Sequence, residues 1–181
     1  MNEKVVLVNE HGEVQGLADK LEVHQQGKLH LAFSLMIFRD CEEAGRLTRQ
    51  YLLQKRAAGK YHCANLWSNT CCSHPHPGET PADAVQRRVG EEMGIHQTLI
   101  LEALDPVHYR AEMPNGLIEH EYDHVFVSHD ELKGFEVNSA EVSDWAWVDV
   151  AELKGRLQSQ PELFTPWLSL VLQRIEQGAW K

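Results

Sequence analysis

The sequence of residues 78–95, GETPADAVQRRVGEEMGI, predicts a capped amphipathic helix between two loops. Thr80 is a typical N-cap residue, and Pro81 suits the first helical position because the N–H that proline lacks would be unpaired there. Asp83 is expected to return a capping contact to the amide at the helix start. Gly94 can adopt the left-handed conformation that ends a helix. The buried side is predicted to be an apolar stripe formed by Ala82, Val85, Val89 and Met93.

The same helix also carries two arginines and two glutamates, Arg87, Arg88, Glu91 and Glu92. Residues 88 and 92 are one turn apart and share a face, and ion pairs on a solvated face are the simplest interpretation of such a helix taken alone. Together with its flanking loops, the stretch 78–95 resembles the Nudix box, a loop–helix–loop whose glutamates hold divalent cations against a diphosphate.

Two positions depart from the Nudix box. The first residue of the box is usually a glycine, and this chain has Ser73 there. The arginine of the box is usually followed by a metal-binding glutamate, and this chain has Arg88 at that position, directly after Arg87. An arginine can contact a diphosphate directly but cannot bind a metal ion. The resemblance therefore implies a Nudix-like fold whose reaction is not ordinary Nudix hydrolysis.

Strand patterns lie on both sides of this helix in the chain. Alternating or continuous apolar runs predict strands at 5–8, 29–38, 47–55, 117–127 and 145–148. Further helices are predicted near Asp149 and from Thr165, the last with Trp167, Leu170, Val171 and Ile175 on its buried side. This order predicts an α/β or α+β sandwich, a mixed sheet flanked by helices. No linker divides the chain, so residues 1–181 are expected to form a single domain.

Composition narrows the class of protein. The 181 residues are 43% hydrophobic and 24% charged, which is typical of a globular domain large enough to bury a core. A net charge of −10 argues against binding to nucleic acid or to an anionic membrane. The longest apolar run, 31–38, is too short to span a bilayer, and there is no signal-peptide pattern. Four cysteines in a chain of this size do not indicate a disulfide framework. We therefore expect a cytoplasmic protein with reduced thiols.

Three further segments, 24–31, 69–75 and 116–122, carry histidines, cysteines and glutamates. Glu119 and Glu121 alternate in an extended segment, so both carboxylates point from the same face. Such a pair alone would simply face solvent, and a zinc knuckle built on Cys71 and Cys72 lacks a second cysteine pair. Taken together, these segments resemble type I isopentenyl diphosphate isomerase, an enzyme of the Nudix fold. The resemblance extends from about Lys20 to Trp167.

The resemblance implies two metal sites. One divalent ion, Mn²⁺, Mg²⁺ or Zn²⁺, would be bound by three histidines and two glutamates: His24, His30, His74, Glu119 and Glu121. This donor set also suits such an ion on coordination grounds. A second ion, Mg²⁺ carried on the substrate diphosphate, would be held by Glu92 with help from the backbone carbonyl of Cys72.

The implied reaction interconverts isopentenyl and dimethylallyl diphosphate in isoprenoid biosynthesis, by allylic proton transfer through a carbocation. Cys72 and Glu121 would be the acid and the base on opposite sides of the five-carbon unit, in an order left open. Only alignment with the family's Asn-x-x-Cys-x-His-Pro pattern selects Cys72 over Cys71. Trp167 would face the cation. The remaining substrate-binding residues implied by the resemblance are Tyr109 and the basic side chains Lys20, Arg56, Lys60 and Arg88.

Two other functions remain open from the sequence. A Nudix diphosphohydrolase would use Glu79, Glu91 and Glu92 as metal ligands, and Arg88 counts against it. A non-catalytic metal-binding or interaction domain is disfavoured because the proton-transfer pair is present. The sequence leaves the oligomeric state open between monomer and homodimer.

Overall fold

The computed structural model describes residues 3–43 and 45–178. In chain order its elements are β1 (Lys4–Val8), β2 (Val14–Asp19), α1 (Lys20–Gln26), β3 (His30–Glu43), β4 (Arg46–Arg56), β5 (Trp67–Ser68), β6 (Cys71–Ser73), α2 (Pro81–Met93), β7 (Glu102–Ala103), β8 (Val107–Glu112), β9 (Ile118–Ser128), β10 (Val142–Asp149), α3 (Val150–Ser159) and α4 (Leu168–Gln177). The outermost residues of the expected single domain, 1–2 and 179–181, lie outside the described residues.

The long strand β3 organises a mixed sheet. Its first half pairs in parallel with β9, and residues 38–43 pair antiparallel with β4. The short strand β6 pairs antiparallel with residues 33–35 of β3, on the side away from β9, and β8 pairs antiparallel with β9. β10 pairs antiparallel with β4. The expected mixed sheet is therefore confirmed.

Helices cover both faces of this sheet. One buried cluster joins Leu35 and Ile37 of β3 to Val85, Val89 and Met93 of α2. The other joins Met36 and Phe38 to Leu153 of α3 and to the apolar side of α4. Successive residues of a strand point to opposite faces, so β3 contributes to both clusters. The sandwich predicted from the alternation of elements is confirmed.

Helix α2 begins and ends as the sequence predicts. Thr80 is its N-cap and accepts the amide N–H of Asp83 at 3.1 Å, and Gly94 ends it with φ +69°. The expected capping contact from Asp83 to the amide is wrong. Its carboxylate accepts the Thr80 hydroxyl at 2.7 Å instead, because the two side chains lie one turn apart.

Other boundaries differ from the sequence expectations. α4 begins at Leu168 rather than at Thr165, because Thr165 donates its amide to Trp67 O beside an isolated bridge between β5 and residue 164. The sequence expectations do not include helix α1 or the strands β5, β6, β7 and β8. Helix α1 has only 7 residues, and β5, β6 and β7 have three or fewer. None of the helices among the described residues has the length and apolar composition of a membrane span.

Candidate active site

Three imidazoles and two carboxylates meet near the start of β3. The parallel register places His30 of β3 opposite Glu121 of β9, and His74 follows β6 on the other side of β3. His24 reaches the same place from α1, whose N-cap is Asp19. One donor atom from each of five side chains lies within 4.8 Å of the others: His24, His30, His74, Glu119 and Glu121. The structure thus brings together every side chain expected at the first metal site.

Backbone contacts orient two of the imidazoles. Nδ1 of His24 lies 2.6 Å from Lys20 O, and Nδ1 of His30 lies 2.9 Å from Lys28 O. Because a carbonyl oxygen only accepts, each Nδ1 carries a hydrogen, and each ring presents Nε2 to the cluster.

Electron-rich atoms crowd together inside the cluster. Nε2 of His30 lies 3.2 Å from Nε2 of His74, which lies 3.1 Å from Oε1 of Glu121. Oε2 of Glu119 is buried and accepts no hydrogen bond from the described residues. Imidazole and carboxylate donors in this number suit Mn²⁺, Zn²⁺ or Mg²⁺, and a divalent cation would satisfy the unpaired oxygen. The residues present therefore fit the expected group.

Burial and neighbouring charges set the protonation of the cluster. Burial lowers the pKa of His74 to about 3, so this imidazole is neutral. Burial would raise the pKa of Glu119, but contacts from His24 and His62 hold it well below its usual range. Burial and the charge of Glu119 oppose ionisation of Glu121, and contacts from His30 and His74 nevertheless lower its pKa. Neutral imidazole and ionised carboxylate are the forms that bind metal.

A small cavity opens beside this cluster. Its walls include both proposed proton-transfer residues, Cys72 and Glu121. All six expected substrate-binding side chains also line it: Lys20, Arg56, Lys60, Arg88, Tyr109 and Trp167. Cys71 points elsewhere, into the apolar cluster under α2, as expected for neighbours in an extended segment.

The two proposed proton-transfer residues have different surroundings. Burial raises the pKa of the Cys72 thiol to about 12, so the thiol is protonated. Its sulfur lies 3.8 Å from Oγ of Ser68. The hydroxyl of Tyr109 donates to Oε2 of Glu121 at 2.7 Å. Of the two proposed proton-transfer residues, Cys72 is therefore protonated and Glu121 is ionised.

Trp167 forms a buried wall of the cavity, with 4% of its surface exposed. Its Nε1–H donates to Oγ of Ser68 at 3.2 Å and to Oδ1 of Asn69 at 3.1 Å. The guanidinium of Arg56 lies 5.6 Å from the indole centroid. The indole is therefore fixed in position and already contacts one cation.

Carboxylates accompany the basic side chains. Arg88 contacts Oε2 of Glu91 at 2.7 Å, lies 3.6 Å from Glu141 and also pairs with the buried Glu92. Lys60 pairs with Glu141 and lies 3.9 Å from Glu92. Glu92, the carboxylate expected at the second metal site, is therefore ion-paired with basic side chains in this structure. Its role as a metal ligand stays a prediction.

Sequence reasoning missed four residues near the cavity: Tyr61, His62, Ser68 and Glu141. Nε2 of His62 lies 2.6 Å from Oε1 of Glu119, and Ser68 lies between Cys72 and Trp167. Tyr61, His62 and Ser68 lie outside the three segments that carry the resemblance. No local pattern distinguishes Glu141.

The NUDIX domain family matches residues 28–168 of this chain. The isopentenyl-diphosphate Delta-isomerase of Photobacterium profundum is 45% identical over 178 residues, covering 97% of this chain and 95% of the relative. Isopentenyl-diphosphate Delta-isomerase 1 of Aromatoleum aromaticum is 46% identical over 177 residues, covering 97% and 93%.

Solved structures resemble the fold at lower identity. DR0079 from Deinococcus radiodurans superposes with a TM-score of 0.71 at 17% identity, covering 95% of this chain and 99% of its own. A MutT protein from Methanosarcina mazei Go1 gives 0.62 at 18% identity, covering 84% and 96%.

Proposed function

This chain belongs to the NUDIX family and, within it, to the isopentenyl-diphosphate Delta-isomerases, and on that premise we propose that Cys72 and Glu121 carry out its proton transfers. The enzyme interconverts isopentenyl and dimethylallyl diphosphate in isoprenoid biosynthesis. The names of its full-length relatives favour this reaction over diphosphate hydrolysis.

One observation carries the residue assignment. Cys72 and Glu121 come from different strands and line the same cavity, together with four basic side chains that can hold a diphosphate. The isomerisation needs a group that protonates the terminal alkene carbon and a group that removes a proton from the carbon two positions along. A protonated thiol and an ionised carboxylate supply one donor and one acceptor.

The intermediate between these two steps is a tertiary carbocation. Trp167 can stabilise it through the electron-rich face of its indole, and face contact of this kind contributes about 2 kcal/mol when water is excluded. The hydrogen bonds to Ser68 and Asn69 hold the ring in place, so no ordering cost arises during the reaction. The Tyr109 hydroxyl holds the carboxylate of Glu121 in the same way.

Two metal sites belong to this proposal. His24, His30, His74, Glu119 and Glu121 would hold Mn²⁺, with Zn²⁺ or Mg²⁺ as alternatives. When bound, the ion lowers the cost of a carboxylate charge in an apolar pocket. Glu92 and the Cys72 carbonyl would hold Mg²⁺ that arrives with the substrate diphosphate.

The diphosphate would bind at the basic wall of the cavity. Arg88 and Lys60 are already paired with Glu92 and Glu141. A diphosphate would therefore compete with these carboxylates for the N–H donors of Arg88 and Lys60. Mg²⁺ on the diphosphate would satisfy Glu92 when Arg88 leaves it. A small prenyl diphosphate is thus the expected partner.

The expected cytoplasmic location and the single domain over 1–181 stay predictions.

The residue assignment is tested by turnover of isopentenyl diphosphate to the acid-labile allylic product. General acid–base groups contribute about 10²–10⁴-fold each, so Cys72→Ala and Glu121→Gln should lose activity on this scale. Cys41→Ser, at the far end of β3, is the matched control and should retain wild-type turnover. Wild-type turnover in Cys72→Ala would exclude the thiol from the reaction.

A further inference from the structure

We propose that His62 is a positioning residue of the metal centre, which holds one oxygen of Glu119 so that the other faces the ion. The inference rests on the metal site of the proposed function and adds a residue that neither the family motifs nor the comparisons assign. It concerns how tightly this chain binds its ion.

A short contact joins the two side chains. Nε2 of His62 lies 2.6 Å from Oε1 of Glu119, and the two side chains are 7% and 2% exposed. Because an ionised carboxylate oxygen only accepts, the imidazole donates through Nε2. Its Nδ1 is buried and has no hydrogen-bond partner among residues 3–43 and 45–178. The contact with Glu119 is thus the side chain's one hydrogen bond in the described chain.

The contact leaves a defined role for each oxygen of Glu119. Oε1 is occupied by His62, whereas Oε2 accepts no hydrogen bond from the described residues and faces Nε2 of His24 at 3.4 Å. His62 is not among the five side chains whose donor atoms converge within 4.8 Å. It therefore acts through Glu119 rather than as a ligand, as the hydrogen-bond partners of metal-bound carboxylates do.

Packing fixes the His62 ring between two parts of the site. The ring stacks against His24 with centroids 5.9 Å apart and an interplanar angle of 27°. It also contacts the ring of Trp167, with centroids 6.0 Å apart and an interplanar angle of 88°. Replacing the His62 ring would therefore alter the packing of His24 in the metal cluster and of the Trp167 indole.

The backbone that carries His62 is locally unfavourable and firmly held. Cys63 and Asn65 both have left-handed backbone conformations, with φ of +50° and +64°. Non-glycine residues rarely adopt this conformation, and such strain collects at functional sites. Hydrogen bonds hold the segment: Arg56 donates to His62 O at 3.2 Å, and Asn115 donates to Tyr61 O at 2.8 Å. This strained but well-held segment thus brings His62 to Glu119.

The test is a titration with Mn²⁺ alone, followed by the electron paramagnetic resonance signal of the free ion. Loss of a partner of a metal ligand weakens metal binding about 10–100-fold. We expect His62→Ala to raise the Mn²⁺ Kd at least about 10-fold on this basis. His62→Gln, whose amide can donate from nearly the same place, should stay within roughly threefold of wild type. His124→Ala, on the other face of β9, is the matched control and should bind as wild type does.

A double-variant cycle separates positioning from simple packing. If His62 acts through Glu119, adding His62→Ala to Glu119→Gln should change Kd less than about twofold, because coupled residues are not additive. An unchanged Kd in His62→Ala alone, or an equal His62→Ala effect in both backgrounds, would overturn the inference. Failure of wild-type protein to bind Mn²⁺ would refute the proposed metal site as well. No substrate is present, so neither result depends on the proton-transfer assignment.

Discussion

The backbone of Glu136 passes so close to Gly94, at the end of α2, that no residue with a Cβ atom fits there. An ideal Cβ at this position would lie 2.0 Å from the carbonyl oxygen of Glu136. The same loop is tied to α2, since the amide of Asn138 donates to Glu92 O at 2.9 Å. It then carries Glu141 to its ion pairs with Arg88 and Lys60. We therefore predict that Gly94→Ala destabilises the fold and displaces this wall of the cavity.

The size of the effect has two parts. Gly94 has φ +69°, and a left-handed conformation costs a non-glycine residue about 1–2 kcal/mol. The Cβ would overlap a backbone atom, which cannot rotate away, and overpacking of this kind costs about 1–3 kcal/mol more. The expected loss in the free energy of unfolding is thus about 2–5 kcal/mol. At roughly 2–4 °C per kcal/mol for a chain of this length, Tm should fall by about 4–20 °C.

Two other glycines isolate the contribution of the clash. Gly116 has φ +80° with no atom within 4 Å of its ideal Cβ, so Gly116→Ala should cost only the backbone part, about 1–2 kcal/mol. Gly59 has open space and no left-handed φ, so Gly59→Ala should be nearly neutral. Urea unfolding followed by circular dichroism measures all three. The reasoning is refuted if Gly94→Ala loses no more stability than Gly116→Ala.

Three further predictions concern the site and its helix. Arg88→Met should lower kcat/KM for isopentenyl diphosphate roughly 10–150-fold, since a hydrogen bond to a charged group contributes about 1.5–3 kcal/mol; steady-state kinetics should find the surface control Arg49→Met unchanged. Trp167→Leu should lower kcat about 30-fold with little change in KM, because cation–π stabilisation of about 2 kcal/mol arises only with the cation; a change confined to KM would contradict this. A hydrogen bond from Arg87 lowers the pKa of Glu79 to about 2, below its unfolded value, so this carboxylate stabilises the fold above pH 4.5 and loses that contribution as pH falls towards 2. Urea midpoints across this range should therefore fall less steeply in Glu79→Gln, and parallel curves would refute the role of the pair.

Helix α2 could be predicted almost to the residue because its signals are local. The Thr80 cap, Pro81 and Gly94 are read from adjacent positions, and the structure uses all three. The strand β8 also had a local signal, since Val107, Tyr109 and Ala111 face inward on alternate positions. Helix α1 has capping residues at both ends, Asp19 and Gly27, but it has no apolar stripe, because only two of its seven residues, Val23 and His24, are buried. Its presence depends on packing against β9 and β2 rather than on an apolar stripe.

The site could be predicted only where a motif covers it. The metal cluster follows from the three segments that resemble the isomerases, and the substrate-binding residues follow from single positions that the wider resemblance matches; the structure places both sets together. His62 and Glu141 lie outside those segments, and their contacts with Glu119 and Arg88 span dozens of residues in the chain. Strand register and the paths of loops bring such pairs together. Neither strand register nor loop path produces a periodic pattern in the sequence. The same holds for the ion pairs that occupy Lys60 and Arg88.

The central claim is that this chain moves a proton and leaves the diphosphate intact. The most direct test is nuclear magnetic resonance of isopentenyl diphosphate incubated with the wild-type protein and Mg²⁺ in D₂O. Proton transfer predicts dimethylallyl diphosphate that carries deuterium at carbon, with no free phosphate. Release of phosphate without isomerisation would contradict the claim and identify the cavity as that of a Nudix diphosphohydrolase.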